Sequence, residues 1–522
     1  MSSTPIRSTA FWHEGVQVPG CPPLRDKVSA DVCVIGAGIA GLTSARLLAD
    51  AGLSVAVLEA IDLTAGETSR STAHIAIPDD RYSMLEKSFG EDGARQIADS
   101  FGHAIDLIES IILHSNIQCD FERLDGFLVS CAPDPLGTLR QEHGAARRAG
   151  AVCELLSSAP GELEEFGPAL RFPRQAQFHP LKYIVGLAQT LPRTAPIFCG
   201  TRATAIEEAA DGVTVRTEGG GTVSAGAVVV ATNTPFNERL GMHLRQYPYQ
   251  TYAIGALVRK GALPHRLLWD DLDPYHYVRL TPRDADYDVL IVGGEDHKTG
   301  EGPRGEEPFT HLEQWTRQHF SAAGAVQWRW SGEVMEPMDA IANLGREPGS
   351  RNVYLITGDS GNGITHATIG ARIVSDLILD RRPTWDVYDP ARSRFQHAGE
   401  FAKEQAEIAA HYADWLTGGD RDNAEAIAPE SGAILRRGLR KYAVYRDAQG
   451  DLFVNSATCP HMGCVVQWNG IEKTWDCPCH GSRFTAHGAL LHGPADRRLR
   501  ALNEPDHVND LLPARTDERK RP

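Results

Sequence analysis

The chain has 522 residues, a net charge of −16, and 42% hydrophobic against 23% charged residues. At roughly 100–200 residues per domain this allows two to four domains, each long enough to bury a core. The acidic balance, with a pI near 5.7, speaks against nucleic acid and anionic membrane surfaces as partners. The first twenty residues hold no apolar signal core, and no run approaches the ~20 apolar residues of a membrane span. A cytoplasmic protein without a membrane span is therefore expected.

Residues 1–28 read as an irregular arm. From Val28 to Ala60 the pattern is strand, Gly-rich turn, helix, strand. The turn, Gly36-Ala37-Gly38-Ile39-Ala40-Gly41, is G-x-G-x-x-G, and Glu59 closes the next strand. In that context the pattern is a dinucleotide fingerprint. Gly36 permits the tight turn, Gly38 lets the backbone approach a pyrophosphate, and Gly41 lets the helix pack on the strand. The helix start offers free N–H groups to the phosphates, and Glu59 can accept from ribose hydroxyls. The signature by itself does not separate FAD from NAD.

Residues 91–115 and 179–191 carry apolar residues at helical spacing. Residues 197–232 alternate like strands, with a hairpin at GVTVRTEGGGTV and a buried strand at AVVVAT. Residues 246–335 mix short strands with loops rich in Pro, Gly and Asp. Residues 352–379 repeat the first pattern of strand, Gly-rich loop and helix. An amphipathic helix is expected over 391–416, a linker over 417–432, short strands to about 505, and a solvated tail at the end.

The segment Cys459 to Phe484 packs four cysteines and two histidines into 26 residues. Cys459-x-His461, fifteen residues, then Cys477-x-x-His480 offers two thiolates and two imidazoles. This spacing suits a [2Fe–2S] cluster with two cysteines on one iron and two histidines on the other. Neutral imidazoles lower the negative charge and raise the potential to about −150 to +300 mV, against about −400 mV for all-cysteine plant-type clusters. Spacing alone leaves a structural zinc site open. The six scattered cysteines, Cys21, Cys33, Cys119, Cys131, Cys153 and Cys199, read as free buried thiols.

The stretches GETSRSTAHIAI (66–77) and GDSGNGITHATIG (358–370), taken with the first fingerprint, resemble the D-amino-acid-oxidase-like flavoproteins. That superfamily includes glycine and sarcosine oxidases and glycerol-3-phosphate dehydrogenase, and the resemblance covers roughly residues 28–385. It implies FAD, held in part by Thr68, Ser69, Arg70, Ser71 and Thr72 and by Gly361, Asn362, Gly363 and Ile364. STAHIA is similar to a segment of dimethylglycine and sarcosine dehydrogenases whose histidine is bonded to the flavin, which makes His74 a candidate attachment point. Here Ala73 replaces that family's tryptophan. A second G-x-G-x-x-G, which would serve a nicotinamide, is absent.

The phrase C-P-H-x-G-C…C-P-C-H-G-S-x-F resembles Rieske proteins. It implies Cys459, His461, Cys477 and His480 as cluster ligands. It also implies the disulfide Cys464–Cys479, which quinol–cytochrome c reductase Rieske proteins carry and ring-hydroxylating oxygenases usually lack. The D-x-x-H-x-x-x-x-H iron pattern of those oxygenases is missing; after Asp273-x-x-His276, Thr281 stands where the second histidine belongs.

The expected fold is α/β with α+β character. A discontinuous Rossmann-like FAD domain (29–105, 176–245, 336–385) holds an interleaved antiparallel-sheet substrate domain (106–175, 246–335). A helical connector and linker (386–432), a small all-β Rieske domain (433–510) and a tail (511–522) follow the arm (1–28). The resemblance implies oxidation of a small amine, amino acid or hydroxy compound, with electrons passing through the cluster to an external carrier. The reverse direction and a redox sensor without turnover are the alternatives. His366, beside the last flavin helix, and His276, Tyr277 and Arg279, on the substrate side, are the candidate catalytic residues.

Overall fold

A computed structural model describes residues 8–78, 81–210, 212–237, 242–301, 305–392 and 411–502. The tail at 511–522 lies outside the described residues, as does all but the two ends of the helix expected over 391–416. The contacts divide the chain into two units, 1–297 with 308–398, and 298–307 with 399–522.

The first unit is built on two sheets. In one, the strand Lys27–Ile35 runs parallel to Val55–Leu58 on one side and to Thr222–Val230 on the other. Val353–Thr357 continues the sheet parallel to Thr222–Val230, and Ile197–Phe198 extends it beyond Val55–Leu58. Val32–Ile35, Val55–Leu58 and Val353–Thr357 are buried throughout. Such near-continuous apolar runs suit a parallel sheet covered on both faces. The expected hairpin forms from Gly212–Thr217 and Thr222–Val230.

Six helices are described: α1 (Ile39–Asp50), α2 (Tyr82–Ser115, broken at Gly90), α3 (Pro135–Arg148), α4 (Pro180–Thr190), α5 (Glu307–His319) and α6 (Gly363–Ile378). Helix α1 leaves the C-terminal end of Lys27–Ile35, and α6 leaves that of Val353–Thr357. Across the sheet the strands run Asn343–Arg346, Val353–Thr357, Thr222–Val230, Lys27–Ile35, Val55–Leu58 and Ile197–Phe198, and the order along the chain changes direction at Lys27–Ile35. Both helix starts therefore open at the carboxyl edge of the sheet, beside the point where its topology switches.

The second sheet has nine strands and is largely antiparallel. Its sequence across the sheet is Val326–Pro337, Gln246–Arg259, Tyr287–Lys298, His276–Pro282, Leu267–Trp269, Glu122–Val129, Ala169–Gln177 and His74–Ile75, with Glu154–Leu156 on the side. The short strand His74–Ile75 pairs with Ala169–Gln177. It ties the flavin-side stretch 66–77 into the sheet built from the interleaved segments.

The arm is irregular apart from a turn at Phe11–His13, and it reaches the core: Phe11 and Trp12 are buried, and Trp12 Nε1 donates to Ser71 O at 2.7 Å. One sequence expectation needs correction in this unit. Cys21 and Cys199 are not free thiols but form a disulfide with Cα atoms 5.3 Å apart, pinning the arm beside Ile197–Phe198. Of the remaining scattered cysteines, Cys33 and Cys119 are buried, Cys153 is partly so and Cys131 is exposed.

The second unit contains a three-stranded sheet (Ser431–Arg437, Arg440–Arg446, Leu452–Ser456) and a four-stranded one (Gln467–Asn469, Thr474–Asp476, Arg483–Thr485, Leu490–His492). All pairings in both sheets are antiparallel. Trp475, Phe484, Val466 and Leu499 form the core, each fully buried. Residues 417–432, expected as a linker, are packed onto these strands. Lys441 Nζ donates to Thr417 Oγ1 and Gly418 O, and Asp420 exchanges bonds with Ile434 in both directions.

Candidate active site and metal centre

The Gly-rich turn behaves as its spacing predicts. Gly36 has φ +103°, and a Cβ there would lie 2.4 Å from Ala231 O. A Cβ on Gly41 would lie 1.8 Å from Gly36 O, so only glycine lets α1 approach its strand. Glu59 holds the turn: Oε2 accepts from Ala37 N–H and Oε1 from Ile61 N–H, both at 2.9 Å. Each oxygen keeps a lone pair for a ribose hydroxyl. Thr68 Oγ1 accepts from Ile39 N–H at 3.2 Å and lies 3.3 Å from where a Cβ on Gly38 would sit.

The residues fit FAD. Helices α1 and α6 both begin without a side-chain cap and without an acidic residue in the first turn. They leave donor groups and positive dipole ends for an anion. Gly36, Gly38, Ala40, Glu59, Thr68, Arg70, Ser71, Thr72 and His74 keep open surface, while Ala37, Ile39, Gly41, Ser69 and Ala73 face the core. At the second loop Gly361 is exposed with φ +75°, Asn362 and Gly363 are partly open, and Ile364 is buried. The residues with open surface would hold FAD, and the two helix starts would supply donors to its anionic groups.

Residues from distant parts of the chain shape the stretch 66–77. Arg70 Nη1 donates to Ser331 O, Trp330 Nε1 to Arg70 O, and Glu333 N–H to Glu67 Oε2. His74 Nδ1 lies 3.2 Å from Thr72 Oγ1 and its Nε2 3.3 Å from Val278 O. Burial, with Arg279 nearby, lowers its pKa to about 3, so the ring is neutral. A covalent tie to flavin would have to release one of its two hydrogen bonds.

Next to His74 the second sheet presents a polar cluster. The Tyr277 ring meets His74 edge-on at 5.6 Å and lies 5.7 Å from Tyr275. Tyr277 Oη and Thr251 Oγ1 share a hydrogen bond of 2.5 Å. Tyr275 Oη donates to Asp296 Oδ2 at 2.9 Å. A Cβ on Gly361 would lie 3.7 Å from Tyr275 Oη, so this hydroxyl stands beside the second flavin loop. Burial pushes the Asp296 carboxyl up to about 6, against the opposing pull of the neighbouring Thr251 and Tyr275 hydroxyls.

Three of the four candidate catalytic residues are placed elsewhere. His276 neighbours Tyr277 on one strand and so points to the opposite face. There it is 6% exposed, stacks on Trp315 at 4.2 Å and bonds Asp270 at 2.8 Å. Arg279 is fully buried, with Nη1 donating to Thr72 O, Ala73 O and Phe178 O and the guanidinium over Trp12. It props the flavin-side loop and offers no fork to a substrate carboxylate. His366 is buried between Phe101 and Tyr388, with Nδ1 on Asp359 O at 2.8 Å. Burial lowers its pKa to about 4. It packs α6 rather than facing the open loop. Tyr277 remains at the site. Sequence reading missed Trp12, Arg81, Thr251, Tyr275 and Asp296. The only signal for Trp12 was an aromatic pair in an otherwise polar arm.

The C-terminal segment folds into two matching loops. Cys459 N–H donates to Cys464 O and Gly463 N–H to Cys459 O, at 2.8 and 3.0 Å. Cys477 N–H donates to Ser482 O and Gly481 N–H to Cys477 O, again at 2.8 and 3.0 Å. Gly463 and Gly481 sit at φ +85° and +79°, where other residues are strained. The repeated turn aims a cysteine and a histidine from each loop at one place. The Cys459 and Cys477 thiols share a hydrogen bond, which lowers one and raises the other. The His461 and His480 rings stand 5.0 Å apart at 88°.

Cys464 and Cys479 are disulfide-bonded, with Cα atoms 6.6 Å apart, and join the two loops. Their sulfurs also lie within 4.8 Å of Cys477 Sγ. Being bonded to each other, they brace the site instead of ligating. Below it, Arg483 pairs with Asp476 at 3.2 Å, both buried. Two thiols and two imidazoles in facing loops fit a [2Fe–2S] cluster of the Rieske type.

A chain that combines these two frames is a flavoenzyme carrying its own iron–sulfur domain. It belongs to the FAD dependent oxidoreductase (DAO) family, which matches residues 31–377, and its C-terminal part is a Rieske [2Fe-2S] domain over residues 423–503. It binds FAD and a [2Fe–2S] cluster. The chain is similar to the Rieske 2Fe-2S iron-sulfur protein YhfW of Bacillus subtilis (strain 168), 28% identical over 501 residues, covering 94% of this chain and 97% of that protein. It is similar to gamma-glutamylputrescine oxidoreductase of Escherichia coli (strain K12), 27% identical over 383 residues, covering 70% and 87%. Its fold matches glycine oxidase from Geobacillus kaustophilus with a TM-score of 0.57 at 18% identity, covering 70% of this chain and 100% of that one. Among the described residues no helix is long and apolar enough to cross a membrane.

Proposed function

We propose that this oxidoreductase is an amine dehydrogenase that passes electrons from the flavin to the Rieske cluster and on to an external one-electron carrier. The observation that carries the reading is the presence of both cofactor frames in one chain. When bound, FAD would accept two electrons as a hydride from the C–H bond beside an amine nitrogen, and the cluster would hold one electron at a time. The similarity to gamma-glutamylputrescine oxidoreductase supports an amine as donor.

In this reading the segments 106–175 and 246–335 cover the substrate side of the flavin. The chain's residues bind, orient and exclude water. Tyr277 and Tyr275 bound the substrate space beside His74 and Gly361. Neutral His74 accepts or donates a hydrogen bond without adding charge. The uncapped start of α6 stabilises negative charge that develops next to it. The two bonded loops keep the cluster ligands in place through a change of charge.

The test is anaerobic titration of the holoprotein with a primary alkylamine and, separately, a small hydroxy acid, following the flavin band and the cluster's paramagnetic signal. The amine is expected to bleach the flavin first, with the cluster signal following. Bleaching by the hydroxy acid alone would overturn the amine reading. Cluster reduction by an external donor followed by flavin reduction, with no response to amines, would reverse the direction of flow.

A further inference from the structure

The polar cluster beside Gly361 has a chemical bias. Tyr275 commits its only proton to Asp296 Oδ2, which leaves its oxygen with acceptor lone pairs alone. Asp296 Oδ1 is closed off from solvent and has no hydrogen-bond partner. A carboxylate held this way is costly unless a cation completes it. The guanidinium beside it is engaged: Arg81 Nη1 donates to Ser360 Oγ at 2.6 Å and pairs with Glu336 at 3.6 Å. Arg279, the guanidinium near His74, is spent on main-chain carbonyls. Tyr275 and Tyr277, 5.7 Å apart and tilted by 41°, offer two π faces at the same place. Acceptor oxygens, a buried negative charge and aromatic faces together attract an ammonium group and repel a carboxylate.

We propose that Asp296, Tyr275 and Tyr277 form a subsite for a protonated amino group, so that the substrate is a cationic amine without a carboxylate next to the reacting carbon. The inference rests on the amine reading above and narrows it from amines and amino acids to cationic alkylamines. Thr251 fixes the Tyr277 hydroxyl, and Gly293 fixes its ring, since a Cβ there would lie 2.1 Å from it.

The test uses holoprotein and two probes of one shape. tert-Butylamine has no hydrogen on the carbon bearing nitrogen and cannot be oxidised; pivalate is its carboxylate counterpart. Binding is read by perturbation of the flavin absorbance and by calorimetry. tert-Butylamine is expected to bind and pivalate to fail. Asp296→Asn should weaken the amine at least about tenfold, as loss of a hydrogen bond to a charged group does. Tyr275→Phe should weaken it less. Pivalate binding as tightly as the amine, no binding of the amine, or flavin-loaded Asp296→Asn with unchanged affinity would each overturn the proposal. If Asp296→Asn fails to fold, the wild-type comparison and Tyr275→Phe decide. Failure here is separable from failure of the function. Pivalate binding with amino acids bleaching the flavin removes the subsite and leaves the dehydrogenase. Amine binding with no amine bleaching the flavin does the opposite.

Discussion

The two cofactor frames are built in opposite ways. The iron–sulfur frame draws its two thiols, two imidazoles and its brace from residues 459–480, on two loops with the same turn. The flavin frame draws on Trp12, Gly36, Glu59, His74, Tyr277, Trp330 and Gly361, spread over most of the first unit. A local frame depends on spacing and turn chemistry. A dispersed frame depends on which strands the fold brings together. The first should therefore fail as a whole when one ligand is lost, and the second should weaken residue by residue.

The largest expected effects come from cutting each frame once. Cys459→Ser should remove nearly all cluster iron and its paramagnetic signal while flavin content stays stoichiometric. Gly41→Val should remove most of the flavin, because its side chain collides with Gly36 O, and should leave the cluster signal intact. Iron analysis and flavin release on the same samples check both. Loss of both cofactors in either variant would break the contrast.

A smaller effect is a pH dependence within the dispersed frame. The Asp296 carboxyl is raised from 3.8 to about 6 by burial. Between these values the unfolded chain has released the proton that the folded chain still binds. Stability therefore falls as pH rises from about 4 to about 6, by at most about 3 kcal/mol. Asp296→Asn should flatten that slope in denaturant titrations, and the two curves should run parallel above it. Equal slopes would show that Asp296 is not held as the structure has it.

The disulfides sharpen the comparison by counting. Two bonds use four of the ten cysteines. Denatured, unreduced protein stripped of its cluster should show six free thiols, matching the free cysteines of the structure. Eight would remove one bond. The smallest expected effect belongs to His276→Gln. Its ring stacks on Trp315 on the face turned away from Tyr277, so amine-driven flavin bleaching should keep its wild-type rate.

The contrast also marks what could be read in advance. Gly36, Gly38, Gly41 and Glu59 were legible because one strand–turn–helix–strand unit has to satisfy sterics and hydrogen bonding locally. The cluster ligands were legible for the same reason. His276 was misread because neighbouring strand residues face opposite ways and nothing local says which face meets the flavin loop; Arg279 lies on the Tyr277 face, but its guanidinium is taken up by the carbonyls of Thr72, Ala73 and Phe178. His366 was misread because the first turn of a helix has an inner and an outer side, and α2 decides which is which. The Cys21–Cys199 bond was invisible, since 178 residues separate its ends.

By itself the sequence determined the cofactors, the paired cysteine–histidine loops and the two helix starts behind glycine-rich turns, because those rest on residue type and short-range backbone geometry. Only the tertiary structure decided the substrate face. Tyr275, just before the strand His276–Pro282, meets Asp296 of the adjacent strand Tyr287–Lys298, and Gly361 arrives there from the loop after a strand of the other sheet. Such a meeting depends on strand register and sheet packing, which no local pattern encodes.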